Sequence, residues 1–322
     1  MKNIFIFPGQ GVQNNQMLKQ LKSYSNQASL DAIKEISDVC GFDVARFIEE
    51  SSNEIISRTE YTQIVVFAMN VAYLRLLEDY DIRPDATAGH SVGQYAALIA
   101  SRVLSLKDAT GLIKERARLM SEVKTPGRLC AVRSMNIDID LLHNICYDIT
   151  KNIGTVQIAL YNSEEQIVVG GLKIAVEKFC EELKNHAGYF TKMLAVGQAF
   201  HTPLMNDMTK EFKTYVDKVQ INTSEIPIIL NSTGQYYDEQ NQVNDLRKEL
   251  VEQCVRPVLW TDTIKKLLNT DSPFFFEVGP GHSLCALLKK FGNNINSLYV
   301  EDKKSLMTYF KEMEKREYVE TF

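Results

Sequence analysis

The 322-residue sequence has little of several features that would point to particular classes of protein. Lys and Arg total 36 against 41 Asp and Glu, giving a formal net charge of −5, so the basic face that nucleic-acid binding requires is not expected. No apolar run reaches the roughly 18 residues that a transmembrane helix needs. The short apolar start KNIFIF is broken by Pro8 and Gly9, which favours a first strand over a signal peptide. We therefore expect neither a nucleic-acid partner nor a membrane.

The six cysteines are scattered and form no CxxC pair. A zinc site and a disulfide framework are both disfavoured by this spacing, so we expect buried free thiols, no metal and a cytoplasmic location. What is present is ordinary for a globular protein, with 45% hydrophobic and 24% charged residues, enough for a sizeable core. The length fits one large domain or two smaller ones.

Hydrophobic periodicity predicts an α/β fold with an insertion. Residues 1–127 and 197–322 carry alternating strand and helix patterns, including the nearly all-apolar helix TQIVVFAMNVAYLRLLEDY. Between them, residues 128–196 follow the order β-α-β-β-α-β, which is typical of a ferredoxin-like unit. We expect a hydrolase-like large subdomain with a parallel sheet and an inserted ferredoxin-like small subdomain. The charged end KEMEKREYVETF is predicted to be a solvated helix or a frayed tail.

The tripeptide Gly-His-Ser occurs twice, and the first copy lies in GHSVG at 89–93. This fits G-x-S-x-G, in which a serine occupies a sharp strand-to-helix turn and the two glycines let strand and helix pass closely. The N–H of Val92 then points to where an oxyanion would form. A strand pattern precedes the motif and a helix pattern follows it. Alone, so short a motif leaves open whether Ser91 is a nucleophile or only a small residue in a tight turn.

The second copy, at 281–283, has Cys285 where the closing glycine would stand. A Gly-Pro-Gly turn precedes it and the helical pattern LCALLKKF follows. We expect Ser283 to be the N-cap of that helix.

A serine nucleophile also needs a base. His201 follows the last predicted strand of the insertion and precedes a helix, a position where catalytic residues are often carried. His90 adjoins Ser91 but points the other way in such a turn, so we expect it to line the pocket. The other histidines lie on helices of the insertion or in the capping loop: His143, His186 and His282. By elimination, the sequence predicts a Ser91–His201 dyad.

Several motifs together resemble the malonyl-CoA:acyl carrier protein transacylase family, in order and over nearly the whole chain. They are Gly9-Gln10-Gly11, GHSVG, Arg116 in KERARLM, Ala199-Phe200-His201 with Pro203-Leu204-Met205, Gln253 in LVEQCVRPVLW, and FFFEVGPGHSL. The ferredoxin-like insertion is also the small subdomain of that family.

The resemblance implies a role for each matching position. Ser91 would be the nucleophile and His201 its general base, with the N–H groups of Gln10 and Val92 as the oxyanion hole. The family orients its histidine partly through a backbone carbonyl in the segment that matches Gln253.

Arg116 would bind the free carboxylate of a malonyl group, a task that suits the planar guanidinium. By residue type alone, Arg116 would be a solvated helix arginine.

Three further residues are expected near the pocket through the resemblance: His90, Asn162 and Phe200. In related polyketide acyltransferases, Ala-Phe before the histidine accompanies malonyl, and Ser there accompanies methylmalonyl. Phe200 would crowd the extra methyl, a preference of about 1–3 kcal/mol. A Phe that only packs in the core would look the same in sequence.

The sequence departs from the family at Gln94, where Glu is usual, and in the segment 127–132, which is less rich in small residues. The segment FHTPLM is more like polyketide acyltransferases than the fatty-acid enzyme, and the chain starts just before PGQG. We expect a free-standing enzyme that moves malonyl from malonyl-CoA to the phosphopantetheine thiol of an acyl carrier protein, in trans for polyketide biosynthesis. The housekeeping fatty-acid transacylase is the nearest alternative.

Two other classes stay open at this point. An acyl hydrolase would clear stalled acyl groups from carrier proteins, but such relatives often lack the arginine that Arg116 matches. A non-catalytic scaffold would have no need of Ser91, His201 and Gln10 together. We expect a monomer without a bound cofactor. Since carrier proteins are typically acidic, docking needs a local basic patch, for which Lys289 and Lys290 are candidates, although both also suit a solvated helix face.

Overall fold

The computed structural model describes residues 2–237, 243–304 and 306–311. Within these ranges, no helix combines the length and apolarity that crossing a membrane requires. Of the C-terminal segment 311–322, for which a solvated helix or a frayed tail is predicted, only Lys311 belongs to the described residues. All six cysteines are free and buried, so the prediction of buried thiols is confirmed.

The strands follow one another along the whole described chain. They are β1 (Lys2–Phe7), β2 (Ala86–Gly89), β3 (Gly127–Arg133), β4 (Val156–Ser163), β5 (Gln166–Leu172), β6 (Phe190–Met193), β7 (Ile228–Ile229), β8 (Tyr236–Tyr237), β9 (Pro273–Glu277) and β10 (Asn296–Tyr299).

The helices lie between these strands. They are α1 (Met17–Lys22), α2 (Gln27–Cys40), α3 (Val44–Glu50), α4 (Asn53–Ile56), α5 (Thr59–Asp79), α6 (Gly93–Ala100), α7 (Leu106–Glu122), α8 (Ile139–Asn152), α9 (Lys173–Leu183), a 3-10 turn (Pro203–Met205), α10 (Asn206–Val216), α11 (Val243–Glu252), α12 (Trp260–Leu268) and α13 (Ser283–Leu288).

The large sheet has the strand order β10-β9-β1-β2-β7-β8 and is parallel except for its last pair. Its central strand β1 is the predicted KNIFIF strand, and its last four residues are fully buried. Buried parallel strands need helices on both faces, and α5 supplies a helix that is buried nearly all round, as predicted. The carboxyl ends of β1, β2 and β7 meet at one edge of this sheet.

A second, four-stranded antiparallel sheet has the order β4-β5-β3-β6. With α8 and α9, its chain order is β-α-β-β-α-β, and these elements share a hydrophobic core of their own. The predicted α/β fold, with a parallel-rich sheet and a separate ferredoxin-like unit, is therefore confirmed. The division of the chain at 128 and 196 stays a prediction; the first strand of the unit begins at Gly127.

Helix α13 corrects one prediction. It begins at Ser283 with His282 at the N-cap position, so Ser283 is not the cap. The fully buried Glu277 carboxylate accepts from the N–H groups of Leu284 at 2.9 Å and Cys285 at 2.7 Å. A carboxylate there satisfies donors that have no partner within the helix and faces its positive end. Burial raises the pKa of Glu277, and the hydrogen bonds from these two N–H groups act in the opposite direction.

We predict that Glu277→Ala lowers the free energy of unfolding by about 3 kcal/mol, because it leaves two buried N–H groups without an acceptor. Glu277→Gln should cost less, since its amide oxygen still accepts. Urea denaturation followed by circular dichroism measures both. Glu225→Ala, which breaks an exposed pair with Arg102, is the control and should cost under about 1 kcal/mol. Equal stability of Glu277→Ala and the unchanged protein would show that this carboxylate is not the cap.

Candidate active site

The candidate active site is centred on the turn between β2 and α6, which we call the elbow (residues 89–93). Ser91 has a backbone φ of 53°, a left-handed conformation that a serine adopts only under constraint, at a cost of about 1–3 kcal/mol. A Cβ on Gly89 would lie 2.1 Å from the Gly93 carbonyl carbon, and one on Gly93 would lie 2.2 Å from the Phe7 oxygen. Both glycines are therefore required by the close passage of strand and helix.

Ser91 and His201 are brought into contact from positions far apart in the chain. Ser91 Oγ lies 2.7 Å from His201 Nε2, and His201 Nδ1 lies 2.7 Å from the backbone oxygen of Gln253. A carbonyl oxygen only accepts, so Nδ1 carries the proton and Nε2 accepts from the Ser91 hydroxyl. His201 also has a left-handed φ, of 61°, and its N–H donates to the Cys254 oxygen at 3.1 Å. A carbonyl thus occupies the place that an acidic residue takes in a triad.

The His201 imidazole is 3% exposed. Burial, followed by the nearby positive charge of Arg116, lowers the pKa of His201 to about 3. The ring is therefore neutral at physiological pH and able to accept a proton.

Arg116 lies on α7 and is 2% exposed, so the interpretation as a solvated arginine is wrong. Its Nη1 donates to Gln63 Oε1, and its Nη2 lies 3.0 Å from Gln253 Oε1 and 3.5 Å from Ser91 Oγ. Its Nε has no partner. Among the described residues, no carboxylate forms an ion pair with Arg116, although a buried cation ordinarily requires one. The site therefore holds an uncompensated positive charge beside the Ser91 hydroxyl.

The loop after β1 lies against the elbow. A Cβ on Gly9 would lie only 2.5 Å from the His90 oxygen, and Asn70 Nδ2 fixes the loop by donating to the Pro8 oxygen at 2.9 Å. Within the part of the chain that the structure describes, neither the Gln10 N–H nor the Val92 N–H donates to a protein acceptor. One backbone donor of the elbow and one of the loop beside it can therefore bind an oxygen of a ligand.

The His90 side chain contacts residues outside the dyad, and its predicted place in the lining of the pocket stays a prediction. Its Nε2 lies 2.9 Å from Asn162 Oδ1, and its ring meets the edge of Trp260 with centroids 5.3 Å apart. Burial lowers the pKa of His90. Since Asn162 belongs to β4, this contact joins the two sheets beside the elbow. Phe200 is buried in the main core next to His201, and its predicted effect on substrate choice stays a prediction.

Asn231 is a contact that the sequence did not predict. Its Oδ1 accepts from the Ser91 N–H at 2.7 Å, and its Nδ2 donates to the Gly89 oxygen at 2.6 Å. It follows β7, which pairs in parallel with β2, so its place at the end of a buried parallel strand was the available signal.

Gln63 was also missed. It is a polar residue on the mostly apolar α5, and that contrast was its signal.

Lys289 and Lys290 lie at the end of α13, on the surface. Lys290 Nζ pairs with Glu165 at 2.7 Å, so part of its charge is already compensated. In the described ranges, no group of three or more His, Cys, Asp or Glu side chains is placed to hold a metal ion.

Comparison with known proteins identifies the family and the fold. Residues 4–318 match the family model described as acyl transferase domain. The malonyl CoA-acyl carrier protein transacylase of Bacillus subtilis is 30% identical over 305 residues, 95% of each chain. The malonyl CoA-acyl carrier protein transacylase from Coxiella burnetii superposes with a TM-score of 0.90, at 28% identity over 97% of each chain. A malonyl-transacylase solved in complex with its type II PKS acyl-carrier protein gives a TM-score of 0.90, at 26% identity, covering 97% of this chain and 100% of that one. This chain belongs to the acyl transferase domain family.

Proposed function

We propose that the protein transfers a malonyl group from malonyl-CoA to the phosphopantetheine thiol of an acyl carrier protein. The observation that carries this proposal is Arg116, a buried cation that pairs with no carboxylate among the described residues and whose Nη2 lies 3.5 Å from Ser91 Oγ. An acyl donor with a free carboxylate places its negative charge on this guanidinium while its thioester reaches Ser91. The names of the relatives, which are malonyl transacylases, support the same substrate.

In the first half-reaction, Ser91 Oγ attacks the thioester carbonyl and His201 Nε2 takes the hydroxyl proton. The carbonyl oxygen becomes an oxyanion that accepts from the N–H groups of Gln10 and Val92. The backbone carbonyl of Gln253 accepts a hydrogen bond from Nδ1–H and so stabilises the imidazolium that forms. The tetrahedral intermediate then collapses, the C–S bond breaks, and coenzyme A leaves as a thiol with the proton from His201. A malonyl ester remains on Ser91.

In the second half-reaction, the phosphopantetheine thiol of the carrier gives its proton to His201 and attacks the ester. The C–O bond to Ser91 breaks, and the hydroxyl regains its proton from His201. If water attacked the ester in place of the thiol, the acyl group would be hydrolysed, which is the alternative activity. Arg116 opposes that alternative, since it selects a substrate with a free carboxylate. The carrier docks, in this proposal, on the face that bears Lys289 and Lys290.

The biosynthetic role is proposed as polyketide synthesis in trans, with the housekeeping fatty-acid role as the alternative. Phe200 and the segment around His201 support the former, and one matched structure is a malonyl-transacylase with a type II PKS carrier. The large and small subdomains are proposed to divide at 128 and 196. The cytoplasmic location, the monomeric state and the absence of a bound cofactor stay predictions from the sequence.

Intact-protein mass spectrometry tests the acyl-enzyme directly. After mixing with malonyl-CoA, we expect a malonyl adduct that is absent in Ser91→Ala and that moves to holo acyl carrier protein when this is added. An adduct that persists in Ser91→Ala would place the acyl group elsewhere. Loss of the adduct to water with the carrier left unloaded would instead support the hydrolase.

Arg116→Ala tests recognition of the carboxylate. We expect kcat/KM for malonyl-CoA to fall by about 100-fold or more, since a buried charge pair is lost, while acetyl-CoA, which has no free carboxylate, is used no worse than before. Arg118→Ala is the matched control, because Arg118 lies on the same helix but pairs with Glu115, Glu122 and Glu211 at the surface. It should leave both substrates unaffected. Equal losses on both substrates in Arg116→Ala would contradict the carboxylate role.

The pH dependence of acylation tests the environment of His201. A base works in its neutral form, which persists above its pKa; because that pKa is lowered to about 3, the acylation rate constant should stay flat from pH 8 down to pH 5. A histidine with an ordinary pKa near 6.5 would lose about 30-fold over that range. Rapid-quench single turnovers with malonyl-CoA give the rate constant. A decline with a midpoint between pH 6 and 7 would show that His201 is more solvated than the structure indicates.

A further inference from the structure

We propose that Asn231 is a positioning residue that holds the elbow in its left-handed conformation, and that Gln94 and Glu249 hold Asn231 in turn. The inference deepens the proposed function and rests on it only in taking Ser91 as the nucleophile. The Asn231 side chain contacts backbone atoms of the elbow, and its Oδ1 also accepts from Gln253 Nε2 at 3.5 Å; its contacts do not include Ser91 Oγ or the His201 ring.

The Asn231 side chain bonds to the elbow at both of its polar atoms. Oδ1 accepts from the Ser91 N–H at 2.7 Å, and Nδ2 donates to the Gly89 oxygen at 2.6 Å. Asn231 is 1% exposed, so water does not substitute for either bond. One planar amide thus joins the last residue of β2 to the strained serine. An aspartate here could not donate to the Gly89 oxygen, and an alanine could form neither hydrogen bond.

Asn231 is itself fixed by buried polar groups. Its backbone N–H donates to Gln94 Oε1 at 2.7 Å, and Gln94 Nε2 donates to Glu249 Oε1 at 3.4 Å. The neighbouring Ser232 donates to Glu249 through its N–H at 3.0 Å and also through its hydroxyl. Gln94 is fully buried and Glu249 is 3% exposed. A glutamate at 94 would face Glu249 across 3.4 Å, so the amide at this position suits a carboxylate at 249.

The same group of residues reaches the other half of the dyad. Glu249 lies one helical turn before Gln253. The Gln253 backbone N–H donates to the Glu249 backbone oxygen at 2.8 Å. Gln253 Nε2 donates to the Ser91 oxygen at 3.0 Å, and the Gln253 oxygen accepts from His201 Nδ1. The Ser91 N–H and C=O are therefore both bound, one by Asn231 and one by Gln253. Freed of the first bond, the Ser91 backbone would relax from φ 53° and carry Oγ away from His201.

The test uses a fluorophosphonate, which reports an activated serine whatever its natural acyl donor is. Ser91 Oγ bonds to phosphorus, fluoride leaves, and His201 takes the proton. We expect Asn231→Ala to lower the second-order labelling rate constant by about 10- to 100-fold. The rate should stay flat between pH 5 and 8, because the burial of His201 is unchanged. Ser29→Ala is the control. Ser29 is a buried residue of α2, a helix that supplies no residue to the site, and its hydroxyl donates to the Ala72 oxygen on α5 at 2.8 Å.

Unchanged labelling in Asn231→Ala overturns the proposal. So does a loss equal to that of Ser29→Ala, or a new decline in rate between pH 8 and 5, since these report general loosening of the fold.

Where Asn231→Ala does not fold, Gln94→Met decides, because it removes both bonds of Gln94 at similar volume. A several-fold loss with flat pH dependence supports the proposal, and full labelling overturns it.

A parallel arm with malonyl-CoA separates this proposal from the proposed function. Wild-type protein that reacts with the fluorophosphonate but forms no malonyl adduct contradicts the malonyl substrate. The Asn231→Ala comparison then still decides the positioning role from the fluorophosphonate rates alone.

Discussion

The 2.7 Å contact between Ser91 Oγ and His201 Nε2 is the constraint on which the rest of the site depends. The two residues lie 110 positions apart, and both have left-handed backbones, with φ of 53° and 61°. A left-handed backbone is unfavourable for both serine and histidine, so contacts with the surrounding structure must stabilise both conformations. For Ser91 this is done by Gly89 and Gly93, which allow the close passage, and by bonds to its N–H and C=O. For His201 it is done by bonds from the segment after α11 to its ring and its backbone.

The two sheets share the task of building the site. The large parallel sheet supplies the elbow and the loop after β1 at the carboxyl ends of its central strands, where α/β proteins commonly bind ligands. The small sheet supplies Asn162, whose Oδ1 lies 2.9 Å from His90 Nε2. The segment around His201 follows directly after β6 and packs against β3, since a Cβ on Gly127 would lie 2.4 Å from the Ala199 nitrogen. The relative position of the sheets thus determines where His201 stands.

The sequence predicted those parts of the site that are local. GHSVG requires a tight turn wherever it folds, and the β-α-β-β-α-β order follows from periodicity. Other features depend on tertiary contacts that no local pattern reveals. Arg116 has the spacing of a surface residue and is nevertheless buried; only the resemblance to a family gave it a role. Ser283 looked like an N-cap, but Glu277 reaches the helix N–H groups from the preceding strand. Asn231 follows the apolar run IPIIL, but no local pattern shows that its side chain binds Ser91 and Gly89.

The neutral side chain of Gln253 has a physical consequence for Arg116, which lies beside it. A carboxylate in place of the Gln253 side-chain amide would lie close to the guanidinium, since Gln253 Oε1 lies 3.0 Å from Nη2. It would pair with Arg116 and remove the charge that attracts an anionic acyl group. With a neutral amide there, the charge remains available, and it also lowers the pKa of His201. Burial is the larger cause of that lowering and the charge of Arg116 adds to it, so the imidazole stays neutral and able to accept the Ser91 proton.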